Sequence, residues 1–194
     1  MKQGYTFAGW FTDTACENAY SFNTKLTGSL TLYAKWVASS NTAYTARYFL
    51  QNADGSYPEQ PQTEALHGTT GAAAELNKTF EGYHVDTAHE GTVKSGTIAA
   101  DGSLVLTAYF ARNTYKVTFQ NGGEAVSEQT LRWGETLTVP ALTKAGYDLS
   151  WSPALPGTLT MPRQDVTYTA VWTAQSNIGY AVEHYQQNAT GNGY

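Results

Sequence analysis

The sequence predicts a mainly β chain, α+β in detail, built as a tandem array of small modules. Three observations carry this. The first is self-similarity: Leu30 to Trp36, then Asn41 to Ser56, returns as Val166 to Trp172, then Asn177 onward, at a constant offset of 136 residues that maps Trp36 to Trp172 and Asn52 to Asn188. Of the 27 positions from 30 to 56, 11 are identical at that offset without a gap. A fixed internal period is the signature of an array. The second is alternation: Leu30, Leu32, Ala34 and Trp36 against Thr31, Tyr33 and Lys35, with a looser copy at Leu104, Leu106, Ala108 and Phe110. Period-two patterning rich in aromatic and β-branched residues marks a half-buried strand. The third is composition. Charged residues make up 14% against the roughly 25% usual in soluble domains, and aromatics 13%, with 14 Tyr and 18 Gly.

Composition also excludes classes of function. A net charge of −5 with no basic run leaves no electrostatic footprint for nucleic acid. No apolar run approaches the roughly 20 residues of a membrane span. The opening Met1 to Tyr5 has no apolar core of signal-peptide type, and the chain opens in mid-pattern, so Met1 is expected to begin a fragment. The single Cys16 rules out an internal disulfide.

The elements follow in order. Tyr5, Phe7 and Gly9 alternate with Thr6, Ala8 and Trp10, a strand; Thr12 to Thr27 is polar, a loop with at most one helical turn. Leu30 to Trp36 closes this first segment, and Val37-Ala-Ser-Ser40 is a small, polar linker. Tyr44, Ala46, Tyr48 and Leu50 open the next module, with Asp54-Gly55 as a turn because glycine takes φ > 0 at little cost. Ala72-Ala-Ala-Glu-Leu76 is the best helix candidate in the chain. Leu104 to Ala111 closes the module, and Tyr115, Val117 and Phe119 open another that ends at Val166 to Trp172. Domains are therefore expected at 1–38, 43–111, 113–174 and from 178 to 194.

Two resemblances attach to these residues. Gly4-Tyr-Thr-Phe-Ala-Gly-Trp10, followed by Gly28-Ser-Leu-Thr-Leu-Tyr-Ala-Lys-Trp36, resembles the internalin B-repeat, also called the Listeria–Bacteroides repeat. Its opening half resembles Tyr115-Lys-Val-Thr-Phe-Gln-Asn-Gly-Gly123 with Trp133-Gly-Glu135, so 113–174 reads as a whole repeat and 4–36 as a closing half. Ala145-Gly-Tyr-Asp-Leu-Ser-Trp151 departs by lacking the second glycine. Tyr44 to Tyr57, with Gly82-Tyr83, resembles the mucin-binding-protein type of repeat found in Gram-positive surface proteins, restarting near 178. The resemblances imply β-grasp-like beads, an extracellular cell-surface or cell-wall location, and no enzymatic activity.

Chemistry-bearing residues are few. His84 and His89 lie near Asp86 and Glu90, but the spacing fits no zinc pattern and a strand would place 84 and 89 on opposite faces. Cys16 has no histidine nearby in sequence and reads as inert. Leu155-Pro-Gly-Thr158 lies mid-chain and reads as a turn. No cofactor or metal is expected. A Lys–Asn isopeptide cross-link of the kind found in surface stalks would need an apolar core meeting that sequence does not reveal. Trp10, Trp36, Trp151 and Trp172 offer a sugar-stacking surface, but repeat-equivalent strand positions favour core. Trp10, Trp36, Tyr48, Phe110, Phe119, Trp151 and Trp172 are thus expected as the structural repeat core, and Leu32, Leu106, Val117 and Tyr168 are expected buried with them. Trp133 falls outside the pattern. The resulting expectation is a monomeric, extended, non-enzymatic stalk or spacer of a bacterial surface protein, with an adhesin module for host glycan, mucin or protein as the alternative. The cut ends, 1–36 and 178–194, each hold half a core; the first is expected as a hairpin remnant and the second as loosely ordered.

Overall fold

A computed structural model describes residues 1–23, 25–176, 179–186 and 189. Its described residues form twelve strands and no helix. They fall into two compact units, Met1–Asn113 and Thr114–Tyr194.

In the first unit, β1 (Tyr5–Phe11) and β2 (Tyr33–Ala38) make an antiparallel hairpin. A four-stranded sheet follows from β3 (Thr42–Leu50), β4 (Gln62–Gly68), β6 (Tyr83–Val85) and β8 (Val105–Arg112), in the order β4-β3-β8-β6. Its central pair, β3 and β8, is parallel, and both outer pairs are antiparallel. A two-stranded ribbon, β5 (Ala73–Glu75) with β7 (Ser95–Thr97), is a separate small sheet. Between sheet and ribbon lies a core of Ala46, Tyr48, Ala74, Leu76, Ile98, Leu106, Ala108 and Phe110. Small residues face large ones across the central pair: Ala46 sits beside Leu106 and Tyr48 beside Ala108. That alternation of small and large residues lets the layers interdigitate.

The ribbon corrects the helix expected at Ala72–Leu76. Five residues are too few to nucleate a helix in water. Ala74 and Leu76 are buried at 7% and 3% exposure while Ala73 and Glu75 face out, so the period is two. Burial of alternate side chains against the sheet outweighs the helical propensity of alanine.

The second unit repeats the plan. Strands β9 (Thr114–Asn121), β10 (Glu124–Arg132), β11 (Tyr147–Ser152) and β12 (Val166–Ala174) take the order β10-β9-β12-β11, with β9 and β12 parallel. Leu137 and Met161 cover the sheet from two segments joined by the bridge Thr136 to Thr160. Met161 N–H donates to the Glu135 carbonyl and Leu137 N–H to the Leu159 carbonyl, each at 2.8 Å. The core is Val117, Phe119, Leu137, Met161 and Tyr168.

The hairpin β1–β2 has the register of β11–β12. Phe7 pairs with Trp36 as Leu149 pairs with Trp172, and Trp10 pairs with Ala34 as Trp151 pairs with Ala170. The later copy is one residue shorter, and the extra residue here makes a bulge: the register shifts between Phe7 and Gly9, leaving Ala8 unpaired, and Gly9 has φ 125°. The bulge also means that Trp10, not Gly9, shares a face with Phe7. The simple alternation expected for Tyr5 to Trp10 therefore breaks at Ala8. The hairpin is seated on the rest of its unit by Ser39, whose N–H donates to the Gly4 carbonyl at 2.9 Å and whose carbonyl accepts from Thr70 N–H at 2.9 Å.

Three turns are closed by aspartates. Asp13 accepts from the N–H groups of Glu17 and Asn18. Asp54 and Asp101, each in an Asp-Gly-Ser turn, accept from Ser56 and Ser103. These bonds favour the charged form and hold all three carboxyls below the ordinary aspartate range; the first cause is the Glu17 N–H for Asp13 and the serine side chain for the other two. Because the folded values are lowered, the stabilisation is present above the unfolded value and is lost as pH falls through the folded ones. The Glu17, Ser56 and Ser103 amide resonances should hold steady from neutral pH down to about 4 and then move together below it. Movement near pH 6 would mean another group closes these turns.

Candidate functional site

The structure distributes the expected core aromatics unevenly. Tyr48, Phe110 and Phe119 are buried at 3%, 2% and 0% exposure. Trp36, Trp151 and Trp172 are half-buried. Trp151 meets Phe119 edge-on at 5.0 Å, and Trp172 Nε1 donates to Asn121 Oδ1 at 3.0 Å. Trp10 differs from expectation: it is 40% exposed, packed edge-on against Phe7 at 5.5 Å on an open face of the hairpin. Its position is that of Trp151, but in the hairpin no residue stands where Phe119 stands. Leu106, Val117 and Tyr168 are buried, and Leu32 is half-buried just outside β2. Trp133 lies under the Arg163 guanidinium at 4.4 Å, a cation–π contact.

The histidines have separate roles. His84 Nδ1 bonds Asn113 Oδ1 at 2.8 Å on the surface. His89 is stacked on Tyr109 with ring centres 3.5 Å apart. Gly91 N–H donates to His89 Nδ1 at 3.0 Å, so the neutral ring carries its proton on Nε2. A side chain at Gly91 would stand 2.6 Å from the Tyr109 ring, and its absence lets the loop close down. Cys16 is half-buried, with φ 55°.

His89 belongs to a cluster that sequence patterning missed. On the outer face of the first sheet, opposite the core, Phe49 of β3 and Tyr109 of β8 are register partners. Their rings stack at 4.4 Å, 5° from parallel. Tyr57 meets both Tyr109 and His89 edge-on, at 4.9 and 5.1 Å. Its hydroxyl donates to Asp86 Oδ2 at 3.0 Å, while Asp86 Oδ1 accepts from the N–H groups of Ala88 and His89. The four rings are half-buried. Phe49 also borders a cleft of about 380 Å³ lined by Arg47, Glu59, Gln60, Pro61 and Thr63. An aromatic ledge beside a cation, a carboxylate, an amide and a hydroxyl can stack and hydrogen-bond a polar ligand. One signal for it lay in the sequence: Tyr48-Phe49 and Tyr109-Phe110 each place an aromatic on both faces of a central strand.

Comparison with known proteins gives the following. The model of the Listeria–Bacteroides repeat domain matches residues 1–35 and 115–171. A putative membrane protein of Evansella cellulosilytica is 26% identical over 208 residues, covering 100% of this chain and 29% of the relative. A putative Gly-rich membrane protein of the same organism is 28% identical over 143 residues, covering 72% of this chain and 16% of the relative. The chain thus spans less than a third of the length of these curated relatives. Among solved structures, domains 3–4 of the Streptococcal High Identity Repeats in Tandem of a cell surface protein share 18% identity over 66% of this chain and 96% of that one, at a TM-score of 0.20. That score carries no argument about shape. The family match falls on the hairpin β1–β2 and on the sheet of the second unit, the two places whose registers coincide. The chain is a mainly β repeat protein with two stretches, at 1–35 and 115–171, that match the model of the Listeria–Bacteroides repeat domain.

Proposed function

We propose that this chain is a spacer region of a bacterial cell-surface protein, a non-enzymatic row of small β modules that holds other domains away from the envelope. The observation that carries this is the recurrence of one plan, a four-stranded sheet with a parallel central pair and a thin second layer, in which the shared feature is a closed core. Repetition of a core without repetition of a surface site is what a spacer needs. The surface location rests on the repeat family and on the membrane-protein names of the relatives. The strand order shared by 43–111 and 113–174 supports β-grasp-like beads there, preceded by a partial repeat at 1–38. An intervening module of the mucin-binding-protein type at 43–111 rests on the opening Tyr44 to Tyr57 with Gly82-Tyr83. No described helix is long and apolar enough to cross a membrane.

The ledge of Phe49, Tyr57, His89 and Tyr109 favours a second reading, in which 43–111 is an adhesin module for a host glycan or mucin. One experiment separates the two. The full chain is passed over immobilised mucin and a panel of oligosaccharides, beside Phe49→Ala and Tyr109→Ala variants. A spacer gives no saturable binding by any of the three. Saturable binding by the parent chain, reduced about tenfold or more by either substitution, would replace the spacer reading with the adhesin.

A further inference from the structure

The column of rings on the outer face of the first sheet ends at Phe49. Tyr109 stacks on His89 at 3.5 Å and on Phe49 at 4.4 Å, so both of its faces are taken. Phe49 has Tyr109 on one face. In the strand order β4-β3-β8-β6, Tyr109 on β8 and Thr63 on β4 lie on opposite sides of β3. The second face of the Phe49 ring therefore turns toward Thr63 and the cleft of about 380 Å³ that both line. A ring entering that cleft would continue the column.

The other walls of the cleft choose the kind of ring. Arg47, Glu59, Gln60 and Thr63 are polar, and Pro61 is apolar. A flat aromatic ligand would stack on Phe49 but leave the amide, the hydroxyl and both charges without partners. A pyranose has a C–H face for stacking and a rim of hydroxyls for these groups. Arg47 decides the charge. It lies two residues before Phe49 on the same face of β3, about 7 Å away along the strand. Thr63 and Thr107 flank it as register partners. It is exposed, and among the described residues no side chain pairs with its guanidinium or with the Glu59 carboxylate. A guanidinium between two hydroxyls is rich in donors, and its planar fork matches the paired oxygens of a carboxylate or sulfate. Glu59 accepts from hydroxyls and repels a second anion, so it favours one acidic group, placed at Arg47.

We infer that this cleft takes an acidic saccharide, with a pyranose ring stacked on Phe49 and its carboxylate or sulfate paired with Arg47. The inference rests on the adhesin reading of the ledge and gives that reading its ligand class.

The test titrates the full chain with sialyllactose, sulfated lactose and lactose, followed by nuclear magnetic resonance at the Arg47 side chain and the Phe49 ring. The two charged probes separate carboxylate from sulfate as the source of the charge. One or both should bind about tenfold or more tighter than lactose. Arg47→Gln should abolish that preference and leave the lactose response unchanged. Phe49→Leu, which keeps an apolar side chain but removes the ring, should weaken the charged probes as well. Protection of the Leu106 amide checks that each variant keeps its core. Equal binding of the three probes, a preference that survives Arg47→Gln, or binding of the charged probes untouched by Phe49→Leu would overturn the inference while the adhesin reading stands. Absence of saturable binding by any probe would overturn both.

Discussion

Phe119→Ala should destabilise the second unit by roughly 3–5 kcal/mol, the range for truncating a buried aromatic. Phe119 has no exposed surface. It stands at the centre of β9, stacked on Tyr168 at 5.3 Å and edge-on to Trp151 at 5.0 Å. Leu137 and Met161, both nearly fully buried, close the core above it. Removing the ring therefore takes away contacts on several sides, and the β9–β12 pairing fixes the backbone so that the site cannot collapse to refill it. The Tyr168 hydroxyl, already pushed above its ordinary value by burial, would report the change by returning toward that value as the cavity admits water. The measurement is urea unfolding followed by exchange of the Thr118 and Thr169 amides. Phe7→Ala is the matched control, since Phe7 is 44% exposed and its loss should cost under about 1 kcal/mol. Equal costs for the two would mean that the core does not lie where Phe119 is.

How much of this was legible in the sequence follows from what each signal depends on. The closing strands were readable because their partners are encoded three times over and because burial on one face imposes a strict period of two. Leu106, Phe110 and Tyr168 lie inward, as the alternation requires. Trp10 was misplaced because equivalence of position was taken for equivalence of surroundings. The bulge at Ala8 brings it to the station of Trp151, yet the ring that buries Trp151 comes from β9, which has no counterpart in the hairpin. The ribbon at Ala73–Glu75 was hidden because alanine favours a helix locally, and only the neighbouring sheet decides otherwise. The ledge was hidden for a different reason. Phe49 and Tyr109 are far apart in sequence and meet through the parallel register of β3 and β8, while His89 and Tyr57 arrive from loops whose course depends on Asp86 and Gly91. At the far end, Tyr180, Val182 and Tyr185 are 86%, 59% and 67% exposed, and residues 179–186 carry no strand. The expected opening strand there includes residues 178 and 187, which lie outside the described residues.

Gly4→Val should release the hairpin from the sheet that follows it, with a loss larger than backbone strain alone can give. Two penalties act at this position. Gly4 has φ 73°, in the left-handed region, where a β-branched residue is strained by about 1–3 kcal/mol. Independently, a Cβ on Gly4 would lie 2.7 Å from both the Cα and the carbonyl oxygen of Ala100. Those are backbone atoms, so no rotamer change relieves the clash; either the Ala99–Gly102 turn or the hairpin must move. The hairpin is the weaker party, being held there through the Ser39 N–H bond to the Gly4 carbonyl and the Thr70 N–H bond to the Ser39 carbonyl. Gly71 separates the two terms, because its φ is 80° but open space surrounds its missing side chain. Gly71→Val should therefore show the strain cost by itself. The expected result is faster amide exchange at Ser39 and Thr70 in the Gly4 variant. The core amides at Leu106 and Ala108, which belong to a sheet complete without the hairpin, should stay protected. If Gly4→Val and Gly71→Val lose the same stability, the contact with Ala100 is not a seat for the hairpin. If the Leu106 amide is lost together with Ser39, hairpin and sheet unfold as one body, and the hairpin contributes to the sheet's own stability.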